Sequence, residues 1–344
     1  LILIKQRYNL TMSKLLDYIN SFPVGVSPKD IECNLSYTRS TLGRHLKPYL
    51  DSGVLVKVGN GPSTKYRSKD KLIVIKNYFN KPHTERKLAP YNEKLLSSTP
   101  NLSKKSLSEF SHLPKYILGK REMTKFLIDF SCASSILEGG TYSLLDTQAL
   151  IDYGERSSEK PTEDAILVVN HKQAFEFLYS NMSYDSVYKV HDLLTNDHEL
   201  AELKNSRYFL TQEYRGKTRK DNDIDIALSS YLPPFKPGTD YLQEMLEQIF
   251  NTASGIKTPI QASFYLLTRI AYLQPFQDGN KRTSRAMCNI PLINANLPPI
   301  SFVDFAKKDY IISMLAFYEL GDIKLAESCF IEAYKKSIER LRPT

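Results

Sequence analysis

Leu273-Gln274-Pro275-Phe276-Gln277-Asp278-Gly279-Asn280-Lys281-Arg282-Thr283-Ser284-Arg285 is the stretch on which the fold of this 344-residue chain turns. Before it, Pro259 to Leu273 places Ile260, Phe264, Leu267, Ile270 and Ala271 at helical spacing. After it, Lys281 to Met287 reads as the opening turns of a second helix. Between them Pro, Asp, Gly and Asn set a tight turn and expose backbone N–H groups. A helix entered through Gly279-Asn280 offers N–H groups without intrahelical partners, which suit an anion. Arg282 and Arg285 lie three apart on one face, so both reach the same anion. Asp278 is a hard oxygen ligand, suited to bridging magnesium to a phosphate. The pattern predicts a helix–loop–helix that holds the phosphates of a nucleotide.

The stretch resembles the Fic motif, H-x-F-x-[DE]-G-N-x-R-x-x-R. Phe276, Asp278, Gly279, Asn280, Arg282 and Arg285 match it, and Gln274 stands at the His position. The resemblance implies the Fic fold and transfer of AMP from ATP to a Ser, Thr or Tyr hydroxyl of a target protein, with ATP and Mg2+ as cofactors. It also implies roles: Asp278 holds the metal, Asn280 and Arg282 hold phosphates, and Arg285 holds the terminal phosphate. Gly279 and Lys281 belong to the nucleotide loop, Phe276 anchors it in the core, and position 274 carries the general base. Gln274 has an amide carbonyl and NH₂ but no basic nitrogen. Loss of a general base removes roughly 10²–10⁴-fold in rate. Positioning and electrostatics survive such a loss, so the expectation is weak or absent transfer with nucleotide binding retained.

Upstream, Phe126, Leu127, Phe130, Ala133, Ile136 and Leu137 form an amphipathic helical stripe ending at Glu138-Gly139-Gly140. A Glu in the last turn faces the negative end of the helix dipole, and Gly139 is a natural stop. Such a carboxylate calls for a cation, and the two motif arginines are the candidates. Ser134 to Gly139 resembles the inhibitory motif of Fic proteins, [ST]-x-x-x-E-[GN]. In that family the Glu pairs with the second motif arginine, here Arg285, and blocks placement of the ATP terminal phosphate. The resemblance therefore implies autoinhibition within one chain; a solvated helix-end Glu is the alternative. Tyr214 to Arg219, Ile224-Asp225-Ile226 and Tyr231 to Pro234 resemble the Fic flap, a hairpin that docks a target segment by strand addition. Gly216, Lys217, Arg219, Ile224 and Tyr231 are its docking residues on that reading, with an ordinary surface hairpin as the alternative. His171 and His191 read as hydrogen-bonded packing residues rather than catalytic ones. The resemblance covers roughly residues 120–340.

Composition bounds the rest. A 42% hydrophobic and 24% charged content is that of a soluble globular protein. No apolar run approaches the ~20 residues of a membrane helix. Leu1 to Ile4 is followed at once by Lys5 and Arg7, the reverse of a secretory leader. Cys33, Cys132, Cys288 and Cys329 lack CxxC spacing, which argues against a zinc site or disulfide framework and for the cytoplasm. Residues 1–70 carry eleven Lys and Arg against five Asp and Glu, so +6 of the net +8 resides there. That asymmetry suits a polyanion partner.

Within this basic segment a helix over 11–19 precedes the helix start Ser27-Pro28. A helix over 38–50 follows, where Pro48 predicts a kink or early stop. Strands at 54–58 and 63–67 flank Gly59 to Pro62. The expectation is a winged helix-turn-helix over 1–70, a linker over 71–119 and a Fic domain over 120–344. The fold class is mainly α: a helical bundle with one small β-hairpin flap behind the winged helix. Thr38, Arg39, Arg44 and Lys47 would face the DNA major groove while Lys65 and Arg67 track the backbone; docking of a protein is the alternative use. Two functions compete. One is an autoinhibited, base-deficient AMP transferase. The other is a DNA-binding transcriptional regulator whose Fic pseudoenzyme domain senses nucleotide or forms a homodimer. Phosphorylating Doc relatives usually carry Ala where this chain has Gly279, which ranks that chemistry last.

Overall fold

The computed structural model describes residues 14–98, 102–113, 115–224 and 226–341. Thr11 and Met12 of the first expected helix, and Asp225 of the expected flap, lie outside them. The chain forms two compact units: Leu1–Ala89 with Ala227–Ser230, and Pro90–Ile226 with Tyr231–Thr344. Among the described residues, no helix is long and apolar enough to cross a membrane.

In the first unit, residues 14–20 are helical, followed by helices Pro28–Leu35 and Arg39–Asp51. Ser27 Oγ accepts the Asp30 N–H at 3.1 Å, and Pro28 occupies the first helical turn, where its missing N–H costs nothing. Thr38 Oγ1 caps the next helix by accepting the Thr41 N–H. Leu15, Ile19, Val26, Ile31, Leu42, Leu46 and Leu55 make the core. Strands Leu55–Val58 and Lys65–Ser68 pair antiparallel with Val56 opposite Arg67, and Val26 bridges to Tyr66. Pro48 neither stops nor shortens its helix, which continues to Asp51. It sits in the final turn, where the missing N–H removes one backbone hydrogen bond from an end that already leaves carbonyls open. The segment expected as a linker is also partly folded, beginning with helix Lys71–Phe79.

The second unit is helical. Its axis is Pro259–Leu273, buried along almost its whole length and packed against Tyr241–Gly255, Asn280–Met287 and Ile290–Asn294. A helix apolar all round, as this one is, belongs in the middle of a bundle. Helix Lys120–Glu138 packs on Thr162–Ser180 through Phe126, Phe130 and Phe175, with ring centroids 4.5 and 5.1 Å apart across the helices. Asp129, buried in its middle, is clamped by Arg340 Nη2 at 2.5 Å from the closing helix Lys324–Leu341. Ser143 caps helix Leu144–Tyr153, and Asp146 returns the bond as the third residue of a capping box.

The flap hairpin expected over 214–234 is not formed among the described residues. The segment runs as turns, and its one strand, Tyr231–Leu232, accepts at Leu232 O from the Tyr91 N–H at 3.0 Å. The reason is that 214–222 is already committed. Gly216 adopts φ +66° and gives its N–H to His191 Nδ1, and Arg219 gives its backbone N–H to Pro275 O at 2.9 Å. Backbone donors used in this way are not available to a strand edge.

Candidate active site

The loop 274–279 joins the buried axis helix to Asn280–Met287, and each turn residue has a mechanical task. Gln274 ends the first helix in the left-handed region at φ +51°, with its N–H on Ile270 O. Gly279 enters the second helix at φ +73°; a Cβ there would lie 2.7 Å from Thr195 Cγ2, so only glycine fits. Asn280 staples the loop: its Oδ1 accepts the Phe276 N–H at 2.9 Å, and its Nδ2 donates to Phe276 O at 2.8 Å and to Gln274 Oε1 at 3.0 Å. Gln274 Nε2 donates back to Ala271 O at 2.6 Å. Its amide is therefore consumed as a strut inside the loop.

Phe276 is fully buried and stacks on His191, with centroids 4.0 Å apart and planes 13° from parallel. His191 Nδ1 accepts the Gly216 N–H at 2.9 Å, which leaves Nε2–H to donate to Asp278 O at 2.9 Å. Burial lowers its pKa from 6.5 to about 3, so the ring stays neutral and both nitrogens are occupied. His191 cannot stand in for the missing base, yet it joins the motif loop to the 214–219 segment. Arg219 performs the same joining from the other side, donating through Nε to Gln274 O at 2.9 Å.

The two motif arginines are buried and held by named partners. Arg282 donates to Leu194 O at 2.9 Å and to Asp278 Oδ2 at 3.0 Å. Arg285 donates through Nε to Ser134 Oγ at 2.9 Å, through Nη1 to Tyr310 Oη at 3.4 Å, and through Nη2 to Ser134 O and to Glu138 Oε1 at 2.6 Å. The structure thus brings Ser134, Glu138 and Arg285 together. Glu138 Oε2 also lies 3.9 Å from Lys281 Nζ. Burial alone would raise the Glu138 pKa, but Lys281, Arg285 and Arg282 outweigh it and hold the carboxyl well below its ordinary range. Removing either partner of such a pair strands a charge in a poorly solvated place.

The remaining expected residues are placed as follows. Asp278 is 49% exposed and sits beside the open start of the Asn280–Met287 helix, where a single carboxylate together with nucleotide phosphates suits magnesium. Among the described residues no cluster of three or more metal-ligating side chains exists. Of the expected docking residues, Lys217 is exposed, Gly216 and Ile224 are half-buried, and Arg219 and Tyr231 are buried, Tyr231 donating its hydroxyl to Tyr272 O at 2.8 Å. In the first unit Arg44, Lys47 and Lys65 are exposed, Arg67 is half-buried, and Arg39 pairs with Glu32 at 2.9 Å. Sequence reasoning did not connect His191 or Tyr310 to the motif. The only signal for His191 was its place on the apolar stripe of Val187, Val190 and Leu194, which marks a buried ring without naming its neighbour.

A helix–loop–helix with a glycine entry and inward-facing arginines is the centre of this helical unit, and it has counterparts among known proteins. Residues 181–292 match the model of the Fic/DOC family. Over 245 residues the chain is 24% identical to protein adenylyltransferase fic-1 of Caenorhabditis elegans, covering 68% of this chain and 44% of that protein. It is 23% identical over 186 residues to protein adenylyltransferase Fic of Nematostella vectensis, covering 52% and 40%. The chain thus spans less than half the length of these relatives. Among solved structures it resembles Fic-1 from C. elegans, with TM-score 0.51 and 21% identity over 72% of this chain and 71% of that one. It also resembles a Fic family protein from Desulfovibrio desulfuricans G20, with TM-score 0.51 and 17% identity over 68% and 71%. The structural likenesses establish a Fic-like fold, and the matches together support a Fic protein.

Proposed function

We propose that this chain is a Fic-type AMP transferase held in a braked, base-deficient state that still binds ATP. In the reaction the oxygen of a target hydroxyl bonds to the α-phosphorus of ATP, the bond to pyrophosphate breaks, and the hydroxyl proton must pass to a base. The N–H groups opening the Asn280 helix and the Arg282 guanidinium stabilise the phosphates. Asp278, together with the phosphates, would hold magnesium, which would supply charge neutralisation there. Gln274 has no lone pair basic enough for the proton, and its amide is spent bracing the loop. Arg285, the ligand for the terminal phosphate on this reading, is occupied by Glu138.

The observation that carries the proposal is the 2.6 Å Arg285–Glu138 pair set against the motif loop. It is tested by incubating the parent and the Glu138→Gly, Gln274→His double variant with α-labelled ATP and reading label on protein. The double variant is expected to incorporate label at a rate roughly 10²–10⁴-fold above the parent. An inactive, folded double variant contradicts the proposal.

The solvent-exposed cations of the first unit favour a second reading, a winged-helix DNA-binding regulator in which the Fic domain senses nucleotide. Arg44 and Lys47 are exposed on helix Arg39–Asp51, and Lys65 is exposed on the hairpin of the same unit. Salt-sensitive binding of the full chain to duplex DNA supports this reading, and no binding at low salt removes it.

A further inference from the structure

Beside the Glu138–Arg285 pair lies a group of cations that the pair does not use. Gly139 ends helix Lys120–Glu138 at φ +118°. A Cβ placed on it would meet Arg207 Nη2 at 3.1 Å, Lys307 Nζ at 3.3 Å and Tyr208 Oη at 3.3 Å. Three polar groups from two distant parts of the chain, Arg207-Tyr208 and Lys307, therefore converge on one bare patch of backbone. Lys281, its side chain 37% exposed, approaches the same carboxylate as Lys307 from the motif helix.

The local charge is unbalanced. Glu138 is the carboxylate facing Lys281 and Lys307, and its Oε1 is already taken by Arg285. Neither Arg207 nor Lys307 makes an ion pair among the described residues. Arg207 donates through Nη2 to Tyr208 Oη at 2.7 Å, and Glu163 and Asp164 act on it only through space, each also accepting a neutral donor: Ser206 Oγ on Glu163 and the Thr141 N–H on Asp164, both at 2.7 Å. Burial lowers the Lys307 pKa, and Arg207 and Lys281 lower it further against the opposing pull of Glu138. Arg207, Lys281 and Lys307 thus act on one another around a single shared carboxylate, Glu138, which concentrates positive charge there.

We propose that Arg207, Lys281 and Lys307, with the Tyr208 hydroxyl, form an oligophosphate subsite on the outer side of Glu138. Its ligand is a pyrophosphate group, either free or as the terminal phosphates of a bound nucleotide. This deepens the AMP-transfer reading and rests on it for its use, because that reaction releases pyrophosphate next to Arg285. Guanidinium and ammonium groups supply the charge-assisted donors that phosphate oxygens need, and the hydroxyl adds a neutral one. An anion seated here would also repel Glu138 and weaken its hold on Arg285.

The test is calorimetric titration of the full chain with pyrophosphate, in parent and in an Arg207→Gln, Lys307→Gln variant whose folding is checked by circular dichroism. Arg207 is exposed and Lys307 half-buried, and Gln keeps much of each side chain's length and polarity, so the variant is expected to fold. The parent should bind pyrophosphate without nucleotide, and the variant should bind at least tenfold more weakly. Equal binding by the two, or none by the parent, overturns the subsite. ATP titrations in the Glu138→Gly background separate the sources. Pyrophosphate and ATP that exclude each other, both weakened by the two Gln substitutions, support the nucleotide tail as occupant. Independent binding, with only pyrophosphate weakened, supports the free ion. Pyrophosphate bound by a chain that never binds ATP keeps the subsite and defeats the nucleotide reading, so the two failures are distinguishable.

Discussion

The positive charge of this molecule is deployed in two opposite ways. On helix Arg39–Asp51 of the N-terminal unit it stands in solvent: the Arg39 side chain is 73% exposed and pairs with Glu32. At Arg285 of the motif helix it is sealed: that residue has no exposed side-chain surface and spends Nε, Nη1 and Nη2 on Ser134, Tyr310 and Glu138. Exposed cations act at a distance, weakly, and are screened by salt. Sealed ones are pre-oriented, and a ligand reaches them by exchange with the groups that hold them. The same residue type thus serves long-range attraction in one unit and a fixed receptor in the other.

Truncating one cation from each set sharpens that contrast. Arg285→Ala leaves Glu138 unpaired in a poorly solvated place and should cost about 3–5 kcal/mol of folding stability, read by urea denaturation. A loss below about 1 kcal/mol would mean that the pair is solvated like a surface one. Acid should erode the sealed region next. Burial lowers the pKa of both His171 and His191 from 6.5 to about 3, so the native state keeps them neutral while the unfolded chain takes up protons below 6.5. Stability is therefore full above pH 6.5 and falls as pH drops toward 3, by ~1.4 kcal/mol per pH unit for each histidine. His191→Gln should flatten that slope by one histidine's share, and an unchanged slope would place the titration elsewhere. The smallest effect belongs to the exposed set: Arg39→Ala should cost less than about 1 kcal/mol, and less still at high salt.

What could be read from the sequence follows the reach of each signal. The motif loop was legible because glycine entry, turn residues and arginines three apart are local facts. Glu138 was legible because a carboxylate at a helix C-terminus is electrostatically misplaced, and a misplaced charge needs a partner. Its partner Arg285, 147 residues away, came from the family resemblance. The flap was misread because Gly216 and Arg219 look like turn and edge residues, while their backbone donors go to His191 and Pro275. Pro48 does not end its helix early, because its cost depends on how close it lies to the helix end, a boundary that composition places poorly. The convergence of Arg207 and Lys307 on Gly139 was invisible, since neither residue belongs to a pattern and their meeting is made by tertiary packing alone.

The pairing of Arg285 with Glu138 as an internal substitute for a terminal phosphate is tested most directly by calorimetry with Mg-ATP. The parent chain and Glu138→Gly are titrated side by side, with Arg285→Ala added to the second as a control. The expected result is at least tenfold tighter binding by Glu138→Gly, with the gain lost when Arg285 is also removed. Equal affinity in parent and Glu138→Gly, or no binding by either, contradicts it.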